Sequence, residues 1–265
     1  MTTPASTDLT GKIALVTGAA QGIGAAAAVA LAAFGADLAI CDRQDMSETL
    51  AAIKACGRRG ESEVLDVRDG PSVADWSKKI ASQYSRVDIL VNNAGGGFYS
   101  SFLDTNAKGQ QALVDENFSS VTHFVREFTS LMPAGSTIIN VTSIEASRAA
   151  PGFGIYAAMK AAVESLTKTL ALELAPQGIR VNALAPDAIP TPGDESLGDA
   201  ATQGAREAYD RKIPLGWGNI DDASGPIIFL ASDLSRFVTG TILHVDGGSH
   251  AASGWSRRDD GTYSP

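Results

Sequence analysis

Tyr156 and Lys160 stand four residues apart in Tyr156-Ala157-Ala158-Met159-Lys160, inside an apolar helical stretch. Four residues is about 400° on a helix of ~3.6 residues per turn, so both side chains leave one face together. A phenol with a free pKa of ~10 is a poor acid or base at neutral pH, and a neighbouring ammonium favours its phenolate. A Tyr tuned in this way suits proton exchange with an alcohol or carbonyl oxygen. Ser143 lies thirteen positions earlier, just after the apolar run Thr137–Val141. A hydroxyl at the C-terminal end of a strand could hold the same oxygen. Tyr-x-x-x-Lys is also an ordinary pair on a helix surface, so the elements around it decide its meaning.

Short apolar runs alternate with longer helical segments. The pattern predicts strands over Ile13–Thr17, Asp37–Cys41, Ser62–Leu65, Val87–Val91, Thr137–Val141, Arg180–Leu184 and Thr241–Val245. It predicts helices near Gly22–Phe34, Met46–Cys56, Ser72–Tyr84, Gln110–Leu131, Ile155–Leu174 and Asp222–Ala231. Such alternation means βαβ units: an α/β, doubly wound Rossmann fold whose parallel sheet carries helices on both faces. We read residues 1–10 as a flexible arm, 11–250 as one catalytic domain and 251–265 as a polar tail. The stretch Pro186–Gly218 breaks the rhythm, with many Pro, Gly and Asp and a short helix candidate at Ala200–Lys212. A long insert in a compact α/β domain reads as a substrate-binding loop or lid.

The first strand runs into Thr17-Gly18-Ala19-Ala20-Gln21-Gly22-Ile23-Gly24, and an Ala-rich helix follows. The glycines allow a sharp turn and close approach to a pyrophosphate, and the helix start offers free N–H groups. A glycine triplet is a weak signal alone; its place between strand and helix strengthens it. Asp42 ends the second strand, eighteen residues after Gly24. A carboxylate there accepts ribose hydroxyls and repels a 2′-phosphate, which favours NAD over NADP. Arg43 follows at once and would partly offset that repulsion. Asp66 and Val67, after the third strand, could reach the adenine edge.

The chain has 265 residues, 44% of them apolar, enough for a full core. A net charge of −9 argues against nucleic-acid binding. No run is long and apolar enough to span a bilayer, and Met1–Thr10 lacks the features of a secretory signal. With only Cys41 and Cys56, a reduced, cytoplasmic setting is expected, with no metal site. His123, His244 and His250 are scattered without metal-ligand spacing.

Thr17-Gly18-x3-Gly22-Ile23-Gly24, Asn92-Asn93-Ala94-Gly95, Ser143 and Tyr156-x3-Lys160 occur in that order. From about Leu9 to Gly248 the chain resembles the short-chain dehydrogenase/reductase family. The resemblance implies a seven-stranded parallel sheet and a homotetramer or dimer. It makes Tyr156 the general acid/base, Lys160 the residue that lowers its pKa and binds the nicotinamide ribose, and Ser143 the group that polarises the substrate oxygen. Asn117 falls at the family's helix-bend asparagine, whose backbone holds a relay water. Gly18, Gln21, Gly22, Ile23, Gly24, Asn92, Asn93, Ala94 and Gly95 would line the cofactor, as would Pro186, Ile189 and Thr191. Enoyl reductases on this fold space Tyr and Lys more widely than this chain does.

Two carboxylates depart from the family pattern. Pro186-Asp187 replaces Pro-Gly, and Glu145 stands two residues after Ser143. Each reads either as a pocket residue or as a loop carboxylate facing water. Trp217 reads as packing, in a place where the family often has a basic residue. Phe98 and Tyr99, after Gly95-Gly96-Gly97, could form an apolar pocket wall. The expected function is NAD(H)-dependent interconversion of a secondary alcohol and a ketone. The alternative is a catalytically idle nucleotide-binding scaffold. An alicyclic, steroid-like or acyl-chain alcohol fits the composition, and a polyol fits if Glu145 or Asp187 faces inward.

Overall fold

The computed structural model describes residues 2–194 and 203–264. Seven parallel strands form one sheet: β1 (Ile13–Thr17), β2 (Asp37–Asp42), β3 (Gly60–Val64), β4 (Ile89–Asn92), β5 (Thr137–Val141), β6 (Arg180–Pro186) and β7 (Ile242–Val245). Their spatial order is β3-β2-β1-β4-β5-β6-β7, so the order reverses between β1 and β4. In doubly wound sheets the ligand crevice opens at that reversal, beyond the carboxyl ends of the strands.

Strand alternation builds two cores. Val16, Ile40 and Val91 point to one face, where α1 (Gly22–Ala33) and the helix Asp221–Ala231 cover them. Leu15, Ala39 and Leu90 point to the other, beneath α3 (Gly70–Tyr84), α5 (Ser120–Phe128) and α6 (Gly154–Glu173). Each central strand is therefore apolar on both sides, which is why its sequence is a continuous apolar run. β3 is an edge strand with Glu61 exposed and Glu63 half-buried and paired with Lys79, charges that discourage pairing with another chain. It begins two residues earlier than the sequence pattern predicts, because its apolar signal, Val64-Leu65, lies at its end.

The helix expected over Gln110–Leu131 is not continuous. α4 (Ala107–Val114) begins at an Asn106 cap, whose side chain accepts from the Gly109 N–H at 2.9 Å. A π-helical turn at Asp115–Ser119 then joins it to α5. There the Ser120 N–H reaches back five residues to the Asp115 carbonyl, and the backbone bulges. The residues of the N-terminal arm are also placed: Pro4–Thr7 form a 3-10 turn, and buried Leu9 donates its N–H to the Phe34 carbonyl at 2.8 Å. At the other end, residues 249–252 form a helical turn and Ser256–Arg257 pairs with Tyr263–Ser264. Of the expected helix Ala200–Lys212, residues 203–210 are helical and 200–202 lie outside the described residues. No helix among the described residues is long and apolar enough to cross a membrane.

Candidate active site

The glycine turn closes on itself more tightly than any side chain permits. Gly18 has φ +67° and Gly22 φ +60°, both left-handed. A Cβ on Gly18 would lie 2.8 Å from the Ala94 Cα, and one on Gly24 would strike the Gly18 carbonyl oxygen. A Cβ on Gly22 would lie 3.3 Å from the Thr191 side chain, so the segment after β6 returns beside the first turn. Asn93 braces this turn: its Nδ2 donates to the carbonyls of Thr17 and Gly18 at 3.0 and 3.1 Å. The N–H groups of Asn93 and Ala94 donate to the Thr17 hydroxyl at 3.0 and 2.9 Å. No acidic side chain occupies the first turn of α1, so its positive end is uncompensated. This cradle fits a pyrophosphate, and with it a dinucleotide cofactor.

Asp42 lies beside the cradle. Its Oδ2 accepts from the Ala20 N–H and its Oδ1 from the Gln44 N–H, each at 3.0 Å. Each oxygen keeps a lone pair for a ribose hydroxyl. Arg43 is mostly exposed and lies 3.8 Å from Glu116, so its charge is partly met within the chain. Asp66 is engaged by Arg68, with contacts of 2.9 Å from Nε and 2.6 Å from Nη2. That pairing holds its carboxyl below the usual range. Val67 is buried. Asn92 does not line the crevice. It is buried in the sheet and donates to Asn140 Oδ1 at 2.8 Å, and Asn140 in turn donates to Thr167 at 2.9 Å. Alternation along β4 makes this so, since Asn92 and Asn93 must face opposite ways.

Lys160 and Tyr156 leave α6 together. The Lys160 ammonium lies 5.6 Å from the Tyr156 ring centroid and donates to the Val141 carbonyl at 3.0 Å. It is 4% exposed. Burial pulls its pKa down to about 8, against the opposing pull of Glu116. Ser143, two residues beyond Val141, caps the turn Ile144–Ser147 and accepts the Glu145 N–H at 3.2 Å. Lys160 therefore ties Tyr156 to the carboxyl end of β5, two residues before Ser143.

Asn117 sits at the centre of the π turn and is fully buried. Its Nδ2 donates to the Leu113 carbonyl at 3.0 Å and the Gly96 carbonyl at 2.8 Å, and its Oδ1 accepts from the Gly96 N–H at 3.2 Å. The side chain thus pins the peptide of Gly96 from both ends. A Cβ on Gly95 would lie 2.9 Å from both Asn117 Oδ1 and Lys160 Nζ. A Cβ on Gly97 would lie 3.3 Å from the Tyr156 ring. The backbone of Gly95–Gly97 therefore forms a wall where side chains would displace Lys160 and Tyr156. Pro186 ends β6 against Val245, and Ile189 is buried under the loop that carries Thr191.

The two unusual carboxylates do not face water separately. Arg148 joins them: its Nη2 lies 2.6 Å from Glu145 Oε1 and 3.5 Å from Asp187 Oδ2. Tyr209 donates to Asp187 Oδ1 at 2.5 Å. Trp217 packs on Tyr209, with ring centroids 5.5 Å apart, and its Nε1 donates to Asp210 at 2.6 Å. Sequence patterns miss Arg148 and Tyr209; the only local trace is the spacing of three between Glu145 and Arg148. The histidines are not all scattered either. His244 and His250 stack with centroids 3.9 Å apart, because β7 and the turn after it bring them together. No group of metal-ligating side chains forms among the described residues.

A glycine turn at the strand reversal and a tyrosine–lysine pair at the carboxyl edge are arranged as a Rossmann-type oxidoreductase requires. Residues 18–250 match the family model described as enoyl-(acyl carrier protein) reductase. The 3-oxoacyl-(acyl-carrier-protein) reductase of Thermotoga maritima is 35% identical over 245 residues, covering 91% of this chain and 98% of that protein. The L-rhamnose 1-dehydrogenase (NAD(P)(+)) of Sphingomonas sp. is 36% identical, covering 91% and 97%. The crystal structure of carveol dehydrogenase from Mycobacterium avium in complex with NAD superposes with a TM-score of 0.84 at 30% identity, covering 91% and 98%. The chain belongs to the short-chain dehydrogenase/reductase family.

Proposed function

We propose that this protein is an NAD(H)-dependent oxidoreductase that interconverts a secondary alcohol and a ketone. The observation that carries the reading is the buried Lys160 ammonium beside Tyr156, at the strand end that leads into Ser143. A bound nicotinamide supplies the hydride in reduction and accepts it in oxidation. Ser143 Oγ hydrogen-bonds the reacting oxygen. Tyr156 gives that oxygen its proton in reduction and takes it back in oxidation. The Lys160 cation favours the phenolate form and binds the ribose. Asn117 positions Gly95–Gly97 against both. Asp42 holds the adenosine ribose and disfavours a 2′-phosphate, and Glu116 draws on Arg43, a cation that would welcome it. Relatives use either cofactor, as the names of the rhamnose and carveol dehydrogenases show.

The test is absorbance at the reduced-nicotinamide band with a mixed alcohol and ketone panel, for wild type and Tyr156→Phe. Wild type is expected to turn over, and the variant to lose ~10²-fold or more while still binding NADH. A variant that keeps most of its kcat would rule out Tyr156 as acid/base. NADH binding with no turnover by wild type would favour the idle scaffold. We further propose a cytoplasmic homotetramer that buries the exposed faces of α4–α5 and α6 between subunits.

A further inference from the structure

Four polar side chains gather at the carboxyl ends of β5 and β6. Glu145 and Arg148 come from the turn after β5, Asp187 from the end of β6, and Tyr209 from the helix Gln203–Asp210. Arg148 donates to Glu145 Oε1 from Nε at 3.2 Å and from Nη2 at 2.6 Å, and its Nη2 also reaches the Tyr209 hydroxyl at 3.4 Å. Its Nη1 reaches Ser249 at 3.3 Å. Burial works against the Arg148 charge, and Glu145, Tyr209 and Asp187 more than restore it. Burial, then the Asp187 charge, pushes the Tyr209 phenol up, so it stays a neutral donor. Two carboxylates against one guanidinium leave a net charge of about −1. The cluster begins at Glu145, whose N–H donates to Ser143 Oγ, the hydroxyl assigned to the reacting oxygen.

The flank on the Tyr156 side is apolar. Phe153 lies edge-on to Tyr156 at 6.4 Å, and Tyr99 lies edge-on to Phe153 at 5.7 Å. A molecule held by Ser143 and Tyr156 thus meets aromatic rings on one side and partly desolvated ions on the other. An apolar alcohol would strip water from those ions and return nothing. A carboxylate-bearing substrate would meet the net negative charge. Hydroxyl donors suit the site, because bonds to carboxylate oxygens are charge-assisted. Among the described residues, the side-chain bonds reaching Glu145 fall on Oε1, which leaves Oε2 to accept.

Resting on the alcohol–ketone reading above, we infer that the substrate is a neutral polyhydroxy alcohol, cyclic or acyclic. Its spare hydroxyls bond to Glu145 and Asp187, and its C–H face lies on Phe153 and Tyr99. Calorimetry on the enzyme saturated with NADH tests this with myo-inositol, xylitol, cyclohexanol and gluconate. At least one polyol is expected to bind about tenfold or more tightly than cyclohexanol and gluconate. Glu145→Leu is expected to reverse the order of polyol and cyclohexanol, and the isosteric Asp187→Asn to weaken the polyol alone. NADH affinity of each variant reports whether it is folded. Cyclohexanol or gluconate binding as well as the best polyol, or no polyol binding at all, would overturn the inference. Turnover assays separate it from the reading it rests on. A polyol that binds tightly but exchanges no hydride in either direction sinks the alcohol–ketone reading and leaves the recognition intact. Turnover of all three kinds of alcohol with equal kcat/KM sinks the recognition alone.

Discussion

Lys160 Nζ donates to the carbonyl oxygen of Val141 at 3.0 Å, which ties the second turn of α6 to the last residue of β5. The bond holds a cation in a place where burial opposes charge, and it fixes the height of Tyr156 over the strand end that leads to Ser143.

The pH dependence of stability follows from that burial. The Lys160 pKa is about 8 in the fold, against an ordinary value of 10.5. Between the two, the unfolded chain holds the proton and the folded chain does not, so stability from this group rises with pH. Below about pH 8 both states are protonated and the burial cost is constant. The full span is worth about 3 kcal/mol. Wild type is expected to gain about that much relative to Lys160→Met between about pH 7.5 and pH 10.5, measured by urea unfolding. A difference flat in pH would show that the buried amine keeps its ordinary affinity for the proton.

Cofactor choice turns on Asp42. Asp42→Ala removes the ribose acceptor and the charge that repels a 2′-phosphate, and leaves Arg43 free to pair with it. The ratio of NADH to NADPH affinity is expected to fall by about tenfold, read by nicotinamide fluorescence. A wild type that already prefers NADPH would reverse the assignment of Asp42.

Gly24→Ala tests the cradle. The new methyl group meets the Gly18 carbonyl oxygen, a backbone atom that cannot swing aside. Overpacking of this kind costs about 1–3 kcal/mol, and the displaced turn loses its hold on the pyrophosphate. NADH should raise the Tm of wild type and leave that of the variant nearly unchanged. Gly225→Ala is the control: it lies on a helix with open space around its Cβ position and should be neutral or slightly stabilising. Equal NADH stabilisation of Gly24→Ala and wild type would remove the glycine turn from the cofactor site.

The sequence alone determines what rests on local periodicity and local backbone chemistry. Doubly buried strands must be continuous apolar runs, so β1, β4 and β5 are legible at once. Gly18, Gly22 and Gly24 mark a turn because only glycine fits φ values and approaches of that kind. Tyr156 and Lys160 share a face because a helix turns about 100° per residue. Contacts between distant segments are another matter, because no local pattern encodes which loop lies beside which. Only the tertiary structure turns Asn92 inward to Asn140 while Asn93 braces the glycine turn. Only it bulges the helix at Asn117, whose side chain donates to the Leu113 carbonyl. It alone gathers Glu145, Arg148, Asp187 and Tyr209, which the chain carries up to 64 positions apart. β5 and β6 are neighbours in the sheet, so the loops at their carboxyl ends must meet, and oppositely charged side chains there pair because partial burial leaves them short of water.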